Sequence, residues 1–276
     1  MACGVLWRVF RPLGLDADAL RSHLTGVVYV LLLPALVLGV LWRAPLGLDA
    51  VRVAVVAATG ILLGMAGAWL WFRLRPAPAP VVGAMLLAAA FPNATYLGLP
   101  VLEAALGPWA RGIAIQYDLF ACTPLLLTAG VLLAAHYGGR GGEIHPVHTL
   151  LRVPPLWAAV AGIVVSLGGV PLPEGLGTWL DMLGVGVVPL MLFSLGLGLR
   201  WSGGGLRLGP ILPVLALQLA LVPLAALAVG GLVGLEGEVL VAVTLEAAMP
   251  SMVLGIVICD RYGLDSGLYA MAVTLT

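Results

Sequence analysis

Residues 88–107 read AAAFPNATYLGLPVLEAALG, and residues 245–263 read LEAAMPSMVLGIVICDRYG. Each lies in an apolar run long enough to cross a bilayer, and each is interrupted by a proline with a polar residue directly after it. The first has Pro92 and Asn93 followed by Gly98 and Pro100, and the second has Pro250 and Ser251 followed by Gly255. Proline lacks the backbone N–H and its ring clashes with the carbonyl four residues earlier, so neither run can be one straight helix. In hydrocarbon, backbone groups released in this way are tolerated only where protein or a wet cavity meets them.

Composition makes hydrocarbon the solvent. Of 276 residues, 62% are hydrophobic and 9% charged, with mean hydropathy +1.12, against roughly 25% charged in an average soluble domain. The apolar runs are continuous rather than alternating, which excludes a β-barrel and leaves helices. All thirteen basic residues are Arg and the net charge is zero, so no basic patch for nucleic acid exists. Cys3, Cys122 and Cys259 are scattered and odd in number, which points to small apolar side chains rather than a disulfide framework or zinc site. The first ten residues, MACGVLWRVF, lack the order of a signal peptide.

Spans are expected at 24–41, 51–72, 81–102, 113–137, 156–170, 179–199, 211–233 and 239–259, with stubs at 5–13 and 266–276. Gly14, Pro34, Pro92 and Gly107 recur as Gly169, Pro189, Pro250 and Gly263, at offsets of 155, 155, 158 and 156. An ordered series with matching hydropathy indicates an internal repeat. The expected fold is therefore an all-α polytopic transmembrane bundle of two five-helix repeats with proline-broken crossover helices. Eight spans are whole, and the first and last helices look truncated. The repeats cover residues 1–137 and 150–276, joined by a loop at 138–149.

Short cytoplasmic loops carry the Arg excess. Counting the first stub as a span, one side holds Arg8, Arg11, Arg21, Arg73, Arg75, Arg140, Arg152, Arg200, Arg207 and Arg261, and the other Arg43, Arg52 and Arg111. This ten-to-three bias puts the 138–149 loop in the cytoplasm and both termini outside. Five spans per half is an odd number, so the halves insert with opposite topology. Inverted repeats whose paired broken helices meet at a central site are a plan of secondary transporters.

Pro92, Asn93, Pro250 and Ser251 are accordingly the candidate substrate-binding residues. Half-helix amino termini there would suit an anionic group. Asp118 and Glu246 are ionisable residues inside spans, each a candidate proton carrier or substrate contact; structural pairing with a neighbouring helix is the other reading. Gln116 and Gln218 read as helix-to-helix contacts, and Glu103 and Asp181 as solvated span ends. His145 and His148 share a loop with Pro146 and no third ligand, so no metal site is expected. Gly60 with Gly64 and Gly230 with Gly234 are close-packing faces that also permit a homodimer. GVGVVP at 184–189 lacks the βαβ setting of a nucleotide site. No catalytic motif occurs, and no cofactor is implied.

The segments FPNATYLGLPVLEAALG at 91–107, IQYDLF at 115–120, VVPLMLFSLGLGL at 187–199 and LEAAMPSMVLGIVICDRYGLDSGLYA at 245–270 resemble the auxin efflux carrier family, within the bile acid/auxin carrier superfamily. The resemblance covers nearly the whole chain. It implies ten helices in two inverted repeats, a scaffold part, a transport part and two proline-broken helices crossing at the site, with Pro92, Pro250 and Asn93 on family positions. It also implies transport of small organic anions, such as dicarboxylates in bacteria and auxin in plants. Ala121 and Cys122 stand where relatives often carry polar amides.

Three classes of function follow. The leading one is an alternating-access secondary transporter of a small, carboxylate-bearing anion in a bacterial inner membrane, with H+ or Na+ as coupling ion; a sodium-coupled bile-acid-type symporter is its nearest variant. The second is an intramembrane enzyme using Asp118 or Glu246, for which no second catalytic group stands at defined spacing. The third is a membrane protein without a solute path. For the orientation, alkaline phosphatase inserted after Gly142 is expected to be inactive and after Gly169 active; the opposite pattern contradicts the Arg count.

Overall fold

Where proline and glycine fall decides where these helices bend, stop and start. The computed structural model describes residues 2–43, 47–139, 151–198 and 207–276, and among them every regular element is helical. In chain order they are α1 (Ala2–Phe10), α2 (Ala17–Arg43), α3 (Leu48–Leu74), α4 (Ala79–Ala90), α5 (Ala94–Leu106), α6 (Pro108–Tyr137), α7 (Pro154–Leu167), α8 (Glu174–Gly198), α9 (Leu208–Leu232), α10 (Gly237–Ala247), α11 (Gly255–Tyr262) and α12 (Ser266–Leu275). Asp16 caps α2 by accepting from the amides of Asp18 and Ala19, and Asp265 caps α12 by accepting from Leu268. Gly263 ends α11 at φ 78°, a conformation that favours glycine.

Among the described residues five helices, α2, α3, α6, α8 and α9, are long and apolar enough to cross a membrane. Two expected spans, 81–102 and 239–259, are each two helices joined by an extended break, α4 to α5 and α10 to α11. The expected span at 156–170 is the 14-residue α7.

Four of the helix prolines follow a widened turn. Five-residue π turns at Val28–Leu32, Ala94–Gly98, Asp118–Cys122 and Leu217–Leu221 each end two residues before a proline, namely Pro34, Pro100, Pro124 and Pro223. The carbonyl that a proline ring would strike lies four residues upstream, inside each wide turn, so the widening gives the ring room.

Packing sorts the helices into two groups. One comprises α2 packed on α7 and α8, with α1 along the end of α8. The other comprises α3, α4, α5, α6, α9, α10, α11 and α12, with α4 in contact with α3, α6, α9 and α12. Residues 81–90 of α4 are all buried, as expected for a helix that is apolar all round and central. The groups meet where α8 touches α5 and where α2 and α7 touch α6.

Polar contacts also join loops at each end of the bundle. At one end Arg207 pairs with Asp265 at 2.7 Å, and the Asp265 amide donates to the Pro80 carbonyl at 3.1 Å. At the other, Arg52 donates to the Gly234 carbonyl at 3.2 Å, Trp42 to Val170 at 2.8 Å, and Arg43 pairs with Asp181 at 2.6 Å. Asp181, expected as a solvated span end, is thus exposed but ion-paired, as is the half-buried Glu103 with Arg111.

Gly60 lies against Val222 of α9, and Gly64 against the Ala89 carbonyl of α4. These faces are used inside the subunit, so they supply no surface for a homodimer. A Cβ at Gly64 would overlap main chain, which cannot rotate away. Gly64→Ala is therefore expected to destabilise the fold by about 1–3 kcal/mol, read as a lowered Tm in detergent; an unchanged Tm would contradict the packing.

Candidate functional site

The two breaks lie side by side. Backbone at Pro92 and Ser251 pairs in antiparallel fashion, with the Asn93 amide donating to the Pro250 carbonyl at 2.7 Å and the Met252 amide to the Phe91 carbonyl at 2.8 Å. Two extended segments that lost their helical bonds to proline therefore satisfy each other, the requirement set by burial away from water.

Side chains meet the remaining loose ends. Ser251 Oγ donates to the Ala88 carbonyl at 2.7 Å, and the Ser251 amide donates to Thr276 Oγ1 at 3.0 Å. Gln218 Nε2 donates to the Met249 carbonyl and Tyr269 to the Met252 carbonyl, both at 2.8 Å. Cys122 Sγ lies 3.9 Å from the Pro92 carbonyl. The breaks thus form a braced knot, with Ser251 as a structural member.

On one side of this knot a cavity of about 400 Å³ opens between the two helix groups. Asn93, Thr95 and Tyr96 at the start of α5 line it, facing Ser22, Thr25 and Tyr29 of α2, with Asp118 and Thr123 of α6 beside them. Asp118 accepts hydrogen bonds from Thr95 Oγ1 and, at 3.0 Å, from Thr123 Oγ1. Asn93 is 2% exposed, and its Oδ1 has no partner among the described residues. The first-turn amides of a helix have no partner within it, so the start of α5 supplies donors and a positive dipole end close to this wall.

A second cavity of about 540 Å³ lies toward the opposite ends of α2 and α6, against Val40, Arg43, Arg111, Ile113 and Gln116. Along α6 the two cavities come within a turn of each other, one reaching Gln116 and the other Asp118. Tyr117 between them is fully buried.

Glu246 of α10 is fully buried, and neither carboxyl oxygen has a partner among the described residues. It packs on Gly98, where any side chain would overlap the carboxyl group. Of the candidate residues, the structure brings Asn93 and Asp118 together at one cavity. Pro92, Pro250 and Ser251 shape the knot behind it, and Glu246 sits apart against α5. Gln218 is a helix-to-break contact, as its reading as a structural polar residue implied. His145 and His148 lie outside the described residues, among which no three metal-ligating side chains cluster. Thr95, Thr123, Tyr29 and Tyr96 were not singled out from sequence; the signal was Thr95 two residues past Asn93 and Thr123 five past Asp118.

Comparison with known proteins places the chain among membrane transporters. Residues 143–276 match the family described as membrane transport protein. An uncharacterized transporter of Methanothermobacter thermautotrophicus is 32% identical over 276 residues, covering 99% of this chain and 89% of the relative. An uncharacterized transporter of Methanocaldococcus jannaschii is 27% identical over 203 residues, covering 71% and 64%.

Removing the Ser251 hydroxyl strands the Ala88 carbonyl in the protein interior. Ser251→Ala is expected to cost about 1–3 kcal/mol, measured as a Tm decrease; a decrease no larger than that of Thr274→Ala, an exposed threonine on α12, would contradict the bracing role.

Proposed function

The chain belongs to the auxin efflux carrier family of membrane transport proteins, and on that premise we propose that it is a secondary carrier of a small carboxylate-bearing anion, working by alternating access at its paired broken helices. The observation that carries this reading is the pair of opposed cavities converging on α6 from opposite ends, one at Asp118 and the other at Gln116. A rocking of one helix group against the other would close the first and extend the second, the manner in which inverted-repeat carriers expose one site to two sides.

In this reading residues 1–137 and 150–276 are the inverted halves, joined by the 138–149 loop in the cytoplasm, with both termini outside the cell membrane. The group α1, α2, α7 and α8 is the scaffold and the remaining helices are the moving part. The Asn93 Nδ2 group and the first-turn amides of α5 receive the carboxylate, and Pro92, Pro250 and Ser251 hold that half-helix end at the cavity wall. Glu246, whose carboxyl oxygens have no partner among the described residues, is the candidate to take up a coupling H+ or Na+. The chain performs no chemistry on its cargo.

The test is uptake of labelled mono- and dicarboxylates into proteoliposomes holding the purified chain. Asn93→Ala together with Pro250→Ala is expected to lower transport by at least about tenfold, a loss of about 1.4 kcal/mol or more; unchanged transport would overturn the site assignment. Replacing Na+ by choline separates the coupling ions, since the bile-acid-type variant requires sodium.

A further inference from the structure

The cavity contains a carboxylate that a simple carboxylate carrier would do better without. Asp118 lines the cavity from α6, and no Arg or His side chain pairs with it among the described residues. Its two oxygens accept the hydroxyls of Thr95 and Thr123, and the Cys122 thiol also bonds to the carboxyl group. A carboxylate offers about four lone-pair sites, so the group retains acceptor capacity toward the cavity. The unpartnered Oδ1 of Asn93 adds another acceptor on the same wall. A bare carboxylate entering this space would meet like charge at short range in a medium that screens poorly. A group bearing several N–H donors and a positive charge would meet what the wall offers.

We propose that the carried solute bears an ammonium group beside its carboxylate, and that Asp118, held by Thr95 and Thr123, receives that ammonium group. This rests on the carrier reading above and revises its substrate class: the cargo keeps the carboxylate but carries an ammonium group with it, an amino carboxylate rather than a plain organic anion. Thr95 makes the two subsites neighbours. Its hydroxyl bonds to Asp118 while its backbone belongs to the first turn of α5, a helix start whose free amides suit a carboxylate. The positive and negative subsites are therefore separated by one threonine side chain, a spacing suited to an amino group and a carboxylate on the same or adjacent carbons. Asp118 then has a double role: it neutralises the solute's positive end and rejects acids that lack one, because their binding leaves a buried carboxylate unpaired.

The experiment uses the purified full-length chain and a thermal-shift titration with the twenty common amino acids, alongside des-amino counterparts. These are succinate for aspartate, propionate for alanine and 3-phenylpropionate for phenylalanine. At least one amino acid is expected to raise Tm saturably, at a concentration about tenfold or more below its des-amino partner, the scale of one charge-assisted contact. Asp118→Asn should abolish that difference, Asp118→Glu should retain part of it, and Thr123→Val should weaken it. Retention by Asp118→Glu shows that the loss in Asp118→Asn is not misfolding. The proposal is overturned if no amino acid binds, if des-amino acids bind as well or better, if they do so only with sodium, or if Asp118→Asn keeps the discrimination. Proteoliposome uptake tells the two failures apart. Des-amino acids carried while amino acids are not leaves the carrier reading standing and removes this one, whereas uptake of neither class removes the carrier reading itself.

Discussion

Every backbone amide and carbonyl in a membrane interior must find a partner within the protein, and that requirement organises this structure. Pro92 and Pro250 each break a helix where no water is at hand. The breaks answer by pairing with each other, through Asn93 to Pro250 and Met252 to Phe91, and the neighbours α4, α9 and α12 contribute the bonds that remain. Ala88, Met249 and Met252 carbonyls are met by Ser251, Gln218 and Tyr269. Neither break would be satisfied alone, so the two halves of the chain depend on each other at their weakest points.

The same breaks create what a binding site needs. Ending α4 at Ala90 and starting α5 at Ala94 places a helix amino terminus inside the bundle, beside a cavity and a carboxylate, instead of at a solvated surface. The wide turn at Asp118–Cys122, which precedes Pro124, lies beside that helix start and contributes Asp118 to the cavity. Proline thus marks two features, the interruptions at the knot and the wide turns around it. Close packing at Gly64 on Ala89 and at Gly98 on Glu246 holds α3 to α4 and α5 to α10 within the larger helix group.

Much of this was legible in the sequence because membrane proteins announce their solvent. Apolar run lengths gave the helices, and Pro92 and Pro250 gave the two divisions. What could not be read was which polar groups converge. Ser251 follows a proline as Asn93 does, yet it turns inward to Ala88 while Asn93 faces the cavity, because antiparallel pairing puts the two residues in unlike settings. Thr95 and Thr123 looked like ordinary helix residues and gained significance only through Asp118, which is 23 residues from one and five from the other. The Gly60 and Gly64 face could serve another subunit by sequence alone; in the fold α4 and α9 occupy it. The expected whole span at 156–170 is the shorter α7, which begins at Pro154 because proline suits a first helical turn.

The central claim is that one site beside Asn93 is reached from both sides of the membrane in turn. The direct measurement places cysteine at position 93 in a chain lacking Cys3, Cys122 and Cys259, and applies a membrane-impermeant thiol reagent to each side of sealed vesicles separately. The account predicts modification from either side, with the carried solute slowing both reactions. Modification confined to one side, with or without solute, would contradict it.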